Sequence, residues 1–253
     1  MTAPICVHAR AEEATAGAAS YPSASALDGG SQPITMQPRR LDSADGSFAP
    51  IGGWRKRSID IVVACTALIL LLPIFMMVAL AIKLTMGGPV IFSQLRIGQG
   101  RRPFRCLKFR TMVQDSDAAL RQYLASDPQA AQEWREFRKL RRDPRVTRIG
   151  SILRKTSLDE LPQLLNVLRG DMSCVGPRPV LEDELERYGP HARDYARVRP
   201  GLTGLWQTSG RNLRTYDERV ALDCHYVQHW TLWGDVLILL KTVPAVISFG
   251  ETS

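Results

Sequence analysis

The chain has no Cys-x-x-Cys pair, no Gly-x-x-x-x-Gly-Lys-Ser/Thr phosphate loop, no His-Glu-x-x-His helix and no complete Gly-x-Gly-x-x-Gly fingerprint. Its five cysteines, Cys6, Cys65, Cys106, Cys174 and Cys224, are odd in number and widely spaced. That pattern speaks against a disulfide framework or a zinc site and for a reducing compartment. Without the phosphate loop, the usual kinase reading has no support. His225 and His229 stand four apart but lack the metalloprotease context, so they read as solvent-facing or core residues. Acidic residues are the scarcer charge, 25 against 33 Lys and Arg, which leaves a formal net charge of +8. A nucleic-acid-binding regulator would use such an excess, yet no helix-turn-helix, zinc-finger or aromatic RNA-binding pattern accompanies it. A membrane scaffold that recruits partners through its C-terminal segment is a third alternative.

What the chain does have is one long apolar run. Residues 61–82 are 22 consecutive positions without a charge. As a helix they extend about 33 Å, enough for a hydrocarbon core of roughly 30 Å. The run is apolar on every face, unlike the striped helix of a soluble domain. Basic residues flank both ends: Arg55, Lys56 and Arg57 before it, Lys83, Arg96, Arg101 and Arg102 among those after it. Because lysines and arginines favour the cytoplasmic face, a simple crossing puts one flank on the wrong side. Pro73 lies mid-run and lacks the N–H that a helix interior needs, so a kink or break near Leu72–Pro73 is expected. Both features favour a re-entrant hairpin, with a bent crossing as the alternative.

Residues 1–50 are rich in Ala, Ser, Gly and Pro and read as a flexible cytoplasmic tail. Strand-like stretches from Val90 to Phe92 and from Arg105 to Arg110 surround the Gly98-Gln99-Gly100 turn, suggesting a basic hairpin under lipid headgroups. Asp127-Pro128 starts a helix, Asp143-Pro144 breaks it, and a short element with Ile149, Ile152 and Leu153 follows. A helix is expected from Leu158 to Leu168, with Gly170 as its stop. Near the C-terminus, Trp230, Trp233, Val236, Leu237, Leu239 and Leu240 form a segment that suits a core helix or a membrane-surface helix equally.

The stretch from Arg154 to Gln163 carries the chemistry. Ser157 followed by Glu160 matches a capping box, which places Asp159 in a first helical turn near free backbone N–H groups. Carboxylates there often only stabilise the helix. Cationic residues change the balance: Arg154 and Lys155 adjoin the acid pair, Lys108 and Arg110 lie upstream, and Arg178 sits in the stiff Pro177-Arg178-Pro179 segment. Such groups can bind a diphosphate with a divalent ion, leaving Asp159 to attack phosphorus and Glu160 to hold magnesium or assist the acceptor. The Pro200–Arg211 stretch, with glycines at turn positions around Trp206 and Gln207, suits either a nucleotide loop or a structural turn.

From about residue 55 to 249 the sequence resembles the bacterial sugar transferases, the single-domain polyprenyl-phosphate phosphoglycosyl transferases that begin exopolysaccharide and lipopolysaccharide assembly. The resemblance rests on Lys56-Arg57-Ser58-Ile59-Asp60, Gly88-Pro89-Val90-Ile91-Phe92, Lys108-Phe109-Arg110-Thr111-Met112, the Thr156–Gln163 stretch, Val175-Gly176-Pro177-Arg178-Pro179 and Pro200-Gly201-Leu202-Thr203-Gly204-Leu205-Trp206-Gln207, in that order. It implies an α/β, mostly helical, monotopic membrane protein with an N-terminal re-entrant helix broken near Pro73. The expected divisions are a tail over 1–50, the membrane helix and basic flank over 51–86, and a compact cytoplasmic catalytic domain over 87–250 with amphipathic interface helices. It implies Asp159 as nucleophile, Glu160 as magnesium ligand and assistant, and Arg154 and Arg178 as phosphate contacts; the charge pattern itself adds Lys108 and Arg110 to the phosphate-binding set. The implied reaction moves a hexose-1-phosphate, glucose or galactose, from a UDP-sugar to undecaprenyl phosphate at the cytoplasmic face of the inner membrane. The cofactor is Mg2+. The partners are both substrates, membrane lipids and later glycan-assembly enzymes, with a homodimer as an assembly to test and no nucleic acid.

Overall fold

The computed structural model describes residues 51–137, 140–209 and 215–247. The expected tail over residues 1–50 lies outside the described residues. The described residues are mostly helical, with two small two-stranded sheets among them.

Helix α1, Gly53–Met86, is 34 residues long and is the one described helix long and apolar enough to cross a membrane. Of the kink or break expected near Leu72–Pro73, the break does not occur. Pro73 stays inside a single helical element. A proline removes one backbone hydrogen bond, and the helix-forming residues on both sides hold the rest of the ladder. Large apolar side chains in the middle of the run, including Ile69, Leu70, Met76 and Met77, are exposed. Both ends of α1, by contrast, are packed. Near the start, Ala64 joins a core with Leu164, Val167 and Cys174. Near the end, Val78 and Ile82 pack with Phe109 and Leu153.

The next elements form the expected hairpin, β1 (Ile91–Ile97) and β2 (Pro103–Phe109), paired antiparallel from Ile91 opposite Phe109 to Ile97 opposite Pro103. Helices α2 (Ser116–Ser126) and α3 (Pro128–Phe137) follow. Asp127 caps α3 as its spacing indicated, its Oδ1 accepting from the N–H groups of Gln129 and Ala130. Helix α4 (Arg148–Lys155) is capped by Thr147, whose hydroxyl accepts from Gly150 N. Gly150 has a packing reason: a Cβ there would overlap the Thr111 carbonyl. This close approach fixes α4, and with it Arg154, against the end of the hairpin.

The expected Leu158–Leu168 helix is shorter. Leu158–Glu160 is a single 3-10 turn, and α5 runs over Gln163–Arg169 with Pro162 at its N-cap. Gly170, left-handed at φ 94°, ends it. Strand β3 (Ser173–Val175) pairs in parallel with β4 (Gly201–Thr203). The backbones touch where Gly176 meets Gly201, since a Cβ on Gly201 would overlap Gly176 N. Short helices α6 (Glu182–Glu186) and α7 (Ala192–Ala196) lie between these strands in sequence. After β4 come α8 (Leu205–Thr208), α9 (Tyr216–Gln228) and α10 (Leu232–Ile247).

Helix α10 has one buried side and one exposed apolar side. Ile238 and Asp235 are buried, whereas Trp233, Leu237 and Leu240 form an exposed stripe at helical spacing. Its buried side holds α1 in place. Lys56 Nζ donates to Asp235 Oδ2 at 2.6 Å, to Val175 O at 3.0 Å and to the Tyr226 hydroxyl at 3.1 Å. Arg57 donates to the carbonyls of Val167 and Leu168 at the end of α5. Asp60 Oδ1 accepts from Ser173 Oγ and Cys174 N, both at 2.9 Å. The charged residues that begin the membrane helix thus grip β3, α5 and α10 together.

Candidate active site

The two acids lie on the 3-10 turn between α4 and α5. Ser157 takes a left-handed φ of 55° and makes no side-chain cap bond, so the capping box is not formed. A turn this short offers Asp159 no helix dipole to speak of. Its environment is burial instead: Asp159 is 8 % exposed. Burial, together with the neighbouring Glu160 carboxylate, pushes its pKa from the ordinary 3.8 up to about 6, and Lys108, Arg154 and Arg178 pull against that rise.

Lys108 comes from the end of β2. Its Nζ lies 2.7 Å from Glu160 Oε1 and 3.8 Å from Asp159 Oδ2. Asn166 tethers the backbone just before Lys108. Its side chain is fully buried, donates to Arg105 O at 2.8 Å and accepts from Leu107 N at 2.9 Å. Through it, α5 is joined to the strand that carries Lys108. Arg154, in the last turn of α4, donates from Nε to Thr111 Oγ1 at 3.0 Å.

A cleft adjoins the acid pair, lined by Arg96, Cys106, Lys108, Glu160, Gln163, Arg178, Pro179, Leu202 and Gln207. Arg178 enters from the segment following β3, and no hydrogen bond or ion pair to it is found among the described residues. Arg96, at the end of β1, donates to Pro179 O and to Glu184 Oε2, each at 3.2 Å. Its pKa is lowered, first by burial, with Arg178 adding repulsion against the attraction of Glu184.

The structure therefore brings together Asp159, Glu160, Lys108, Arg154 and Arg178. It places Arg110 elsewhere. That residue lies just past the last residue of β2, and its Nη2 donates to the carbonyls of Met86 and Gly87 at the end of the membrane helix. Cations belong at that end, where carbonyls are left unpaired. Pro73 is in the exposed part of α1, within the membrane segment rather than the site. Arg96, Gln163 and Gln207 are cleft residues that sequence reasoning did not assign. Gln207 had a visible signal, its place in the glycine-bracketed stretch. Arg96 had none beyond its charge.

The donor set at the acid pair suits Mg2+, which takes one or two carboxylates and completes its shell with water and substrate phosphate oxygens. A second cluster, His191, Asp194 and Cys224, has ligand atoms within 4.8 Å of one another. It suits magnesium poorly: imidazole and thiol are softer ligands, and Asp194 already accepts from Gln228 Nε2 and faces Arg197.

The family model for bacterial sugar transferases matches residues 51–249. The chain is 56% identical over 201 residues to an exopolysaccharide production protein, ExoY, of Sinorhizobium fredii, covering 79% of this chain and 89% of that one. It is 44% identical over 202 residues to a UDP-glucose:undecaprenyl-phosphate glucose-1-phosphate transferase of Caulobacter vibrioides, covering 77% and 70%. It is 51% identical over 193 residues to an undecaprenyl-phosphate galactose phosphotransferase of Salmonella typhimurium, covering 76% of this chain and 40% of that larger protein. With these matches spanning the membrane helix, the acid pair and the cleft, the chain belongs to the bacterial sugar transferase family and is an enzyme of the phosphoglycosyl transferase type.

Proposed function

We propose that this enzyme transfers a hexose-1-phosphate from a UDP-sugar to undecaprenyl phosphate and so begins a polysaccharide repeat unit. The observation that carries the reading is a nearly buried aspartate facing three cations, Lys108, Arg154 and Arg178, beside a cleft. Such a site binds a diphosphate and sets a carboxylate against its phosphorus. An Asp159 oxygen attacks the phosphorus that bears the sugar. The bond to the bridging oxygen breaks, UMP leaves with the electron pair, and a phosphosugar stays on Asp159. An oxygen of undecaprenyl phosphate then attacks the same phosphorus. The aspartyl bond breaks, which frees the carboxylate and yields the diphosphate-linked sugar. Lys108 holds Glu160 beside the attacked centre and keeps the attacking carboxylate ionised. When bound, Mg2+ held by Glu160 and the diphosphate would neutralise charge that develops on phosphate oxygens.

The membrane arrangement fits a lipid acceptor. Both ends of α1 pack on the same polar body, through Lys56, Arg57 and Asp60 at one end and Val78 and Ile82 at the other. A helix crossing a bilayer carries its ends to opposite faces, about 30 Å apart, where one water-facing body does not reach both. These contacts support re-entry, with residues 51–86 as the membrane unit, residues 87–250 as the catalytic domain, and both ends on the cytoplasmic face. Exposed Trp233, Leu237 and Leu240 on α10 suit the interface of the same leaflet.

The test is UMP release by the detergent-purified chain, with Mg2+ and a panel of UDP-sugars including UDP-glucose and UDP-galactose. Release that requires Asp159 is the expected result. A folded wild type that releases no UMP from any donor contradicts the reading.

A further inference from the structure

Four buried side-chain atoms without a hydrogen-bond partner gather in one corner of the fold: Trp206 Nε1, Gln207 Oε1, and Nε and Nη2 of Arg219. Leaving such atoms unpaired costs about 1–3 kcal/mol each, and native proteins keep few without a reason. Their neighbourhood supplies one. Gln207, only 7 % exposed, forms part of the cleft wall with Lys108, Glu160 and Arg178. Trp206 is the adjacent residue on α8, and the Arg219 guanidinium of α9 lies 4.9 Å from the centre of its ring. Helices α8 and α9 pack against each other, which sets this corner behind the cleft wall that Gln207 lines.

We infer that Gln207, Trp206 and Arg219 form the subsite that reads the pyrimidine base of the donor nucleotide. The inference rests on the UDP-sugar reading above. With the diphosphate held by Lys108 and Arg178, the ribose and base must continue along the same wall. The unpaired atoms match the edge of uracil: its two carbonyls accept from indole and guanidinium N–H groups, and its N3–H donates to the glutamine oxygen. The Arg219 guanidinium lies over the indole face, so the indole meets the base through its N–H edge. Neighbouring side chains cover these atoms, so the base reaches them by turning Gln207 and Arg219 toward the cleft. A site built to pair polar groups discriminates strongly against ligands that leave them unpaired.

Ping-pong transfer allows a specific test, because the nucleotide has left before the second step. The wild type, Trp206→Phe and Gln207→Leu are compared in three measurements. The first is adduct formation against UDP-sugar concentration. The second is transfer from the preformed adduct to undecaprenyl phosphate. The third is UMP binding by calorimetry, with AMP as control. Trp206→Phe keeps the ring under Arg219, so a folding failure of one variant does not decide the outcome. The expected result is a KM for donor raised about tenfold or more, UMP affinity weakened to match, and a second step within about twofold of wild type. Unchanged KM and UMP affinity in both variants overturns the inference. So does equal loss in both steps, which marks a structural role, and so does a wild type that binds AMP as well as UMP. A wild type that forms adduct while the variants behave normally leaves the proposed reaction standing. A wild type that forms none removes both.

Discussion

Lys108 Nζ lies 2.7 Å from Glu160 Oε1 and 3.8 Å from Asp159 Oδ2, so one ammonium group serves two adjacent carboxylates unequally. Its tight bond goes to Glu160, and its longer reach goes to Asp159, the proposed nucleophile. A carboxylate bonded closely to a cation is a weaker nucleophile, and the 3.8 Å spacing keeps Asp159 ionised without tying up its oxygen.

This geometry fixes the pH dependence of adduct formation. The rate should rise with an apparent pKa of about 6 and level off above pH 7, since Asp159 attacks as the carboxylate. Removing the cation with Lys108→Met should move that pKa upward, and Glu160→Gln should move it downward, because the first lowers and the second raises it in the native chain. Rapid-quench rates of UMP release from pH 5 to 8.5 measure all three. Shifts of the same sign in both variants would contradict the arrangement.

Asp159 should also cost the fold stability. Between the ordinary 3.8 and about 6, the folded chain holds a proton that the unfolded chain has lost. Stability therefore falls as pH rises through that window and stays lower above it. Asp159→Asn removes the penalty and should stabilise the chain by on the order of 2–3 kcal/mol at pH 7.5, shrinking to about a third of that near pH 4.5. Thermal unfolding of both proteins at the two pH values checks the direction and the shrinkage.

The grip of Lys56 on Asp235 predicts a large loss when one partner is removed. Asp235→Ala leaves a buried ammonium without its carboxylate and should destabilise by about 3–5 kcal/mol. Lys56→Met with Asp235→Leu should recover much of that, since neither charge is then stranded. Denaturant unfolding in a constant detergent reads the difference.

Asn166 is a positioning residue between α5 and β2. Asn166→Leu strands the Leu107 N–H and the Arg105 carbonyl and should cost about 1–3 kcal/mol. Because it also loosens Lys108 from Glu160, the pH–rate profile should shift in the direction of Lys108→Met. Loss of stability with an unmoved profile would reduce Asn166 to a packing role.

Re-entry predicts that cysteines introduced one at a time at Trp54 and Gly87, in a background lacking Cys6 and Cys65, label from the same side of intact inner-membrane vesicles. Labelling from opposite sides would show a crossing helix and leave the chemistry untouched.

Much of this was readable in the sequence where the determining forces are local. An apolar run with no polar face needs no tertiary information to be assigned to lipid. The β1–β2 hairpin and the Asp127 cap follow from turn chemistry. The acid pair and its cations were found because their motifs are contiguous, although their meeting depends on Asn166 and Gly150, whose roles appear only in three dimensions. The capping-box reading of Ser157 failed because Ser157 takes a left-handed φ, and α5 starts only after Pro162, which leaves Leu158–Glu160 as a tight turn. The helix-end argument for Asp159 failed with it, and burial took its place. Arg110 was grouped with Lys108 by proximity, but β2 ends at Phe109 and the guanidinium turns to the carbonyls that end α1.

The most direct measurement is the intact mass of the full chain after incubation with a UDP-sugar and Mg2+ in the absence of lipid acceptor. The account predicts a mass increase of one hexose phosphate on the wild type, its discharge on adding undecaprenyl phosphate, and no increase on Asp159→Asn. A wild type that releases UMP only when the acceptor is present, with no adduct at any time, would contradict the covalent mechanism.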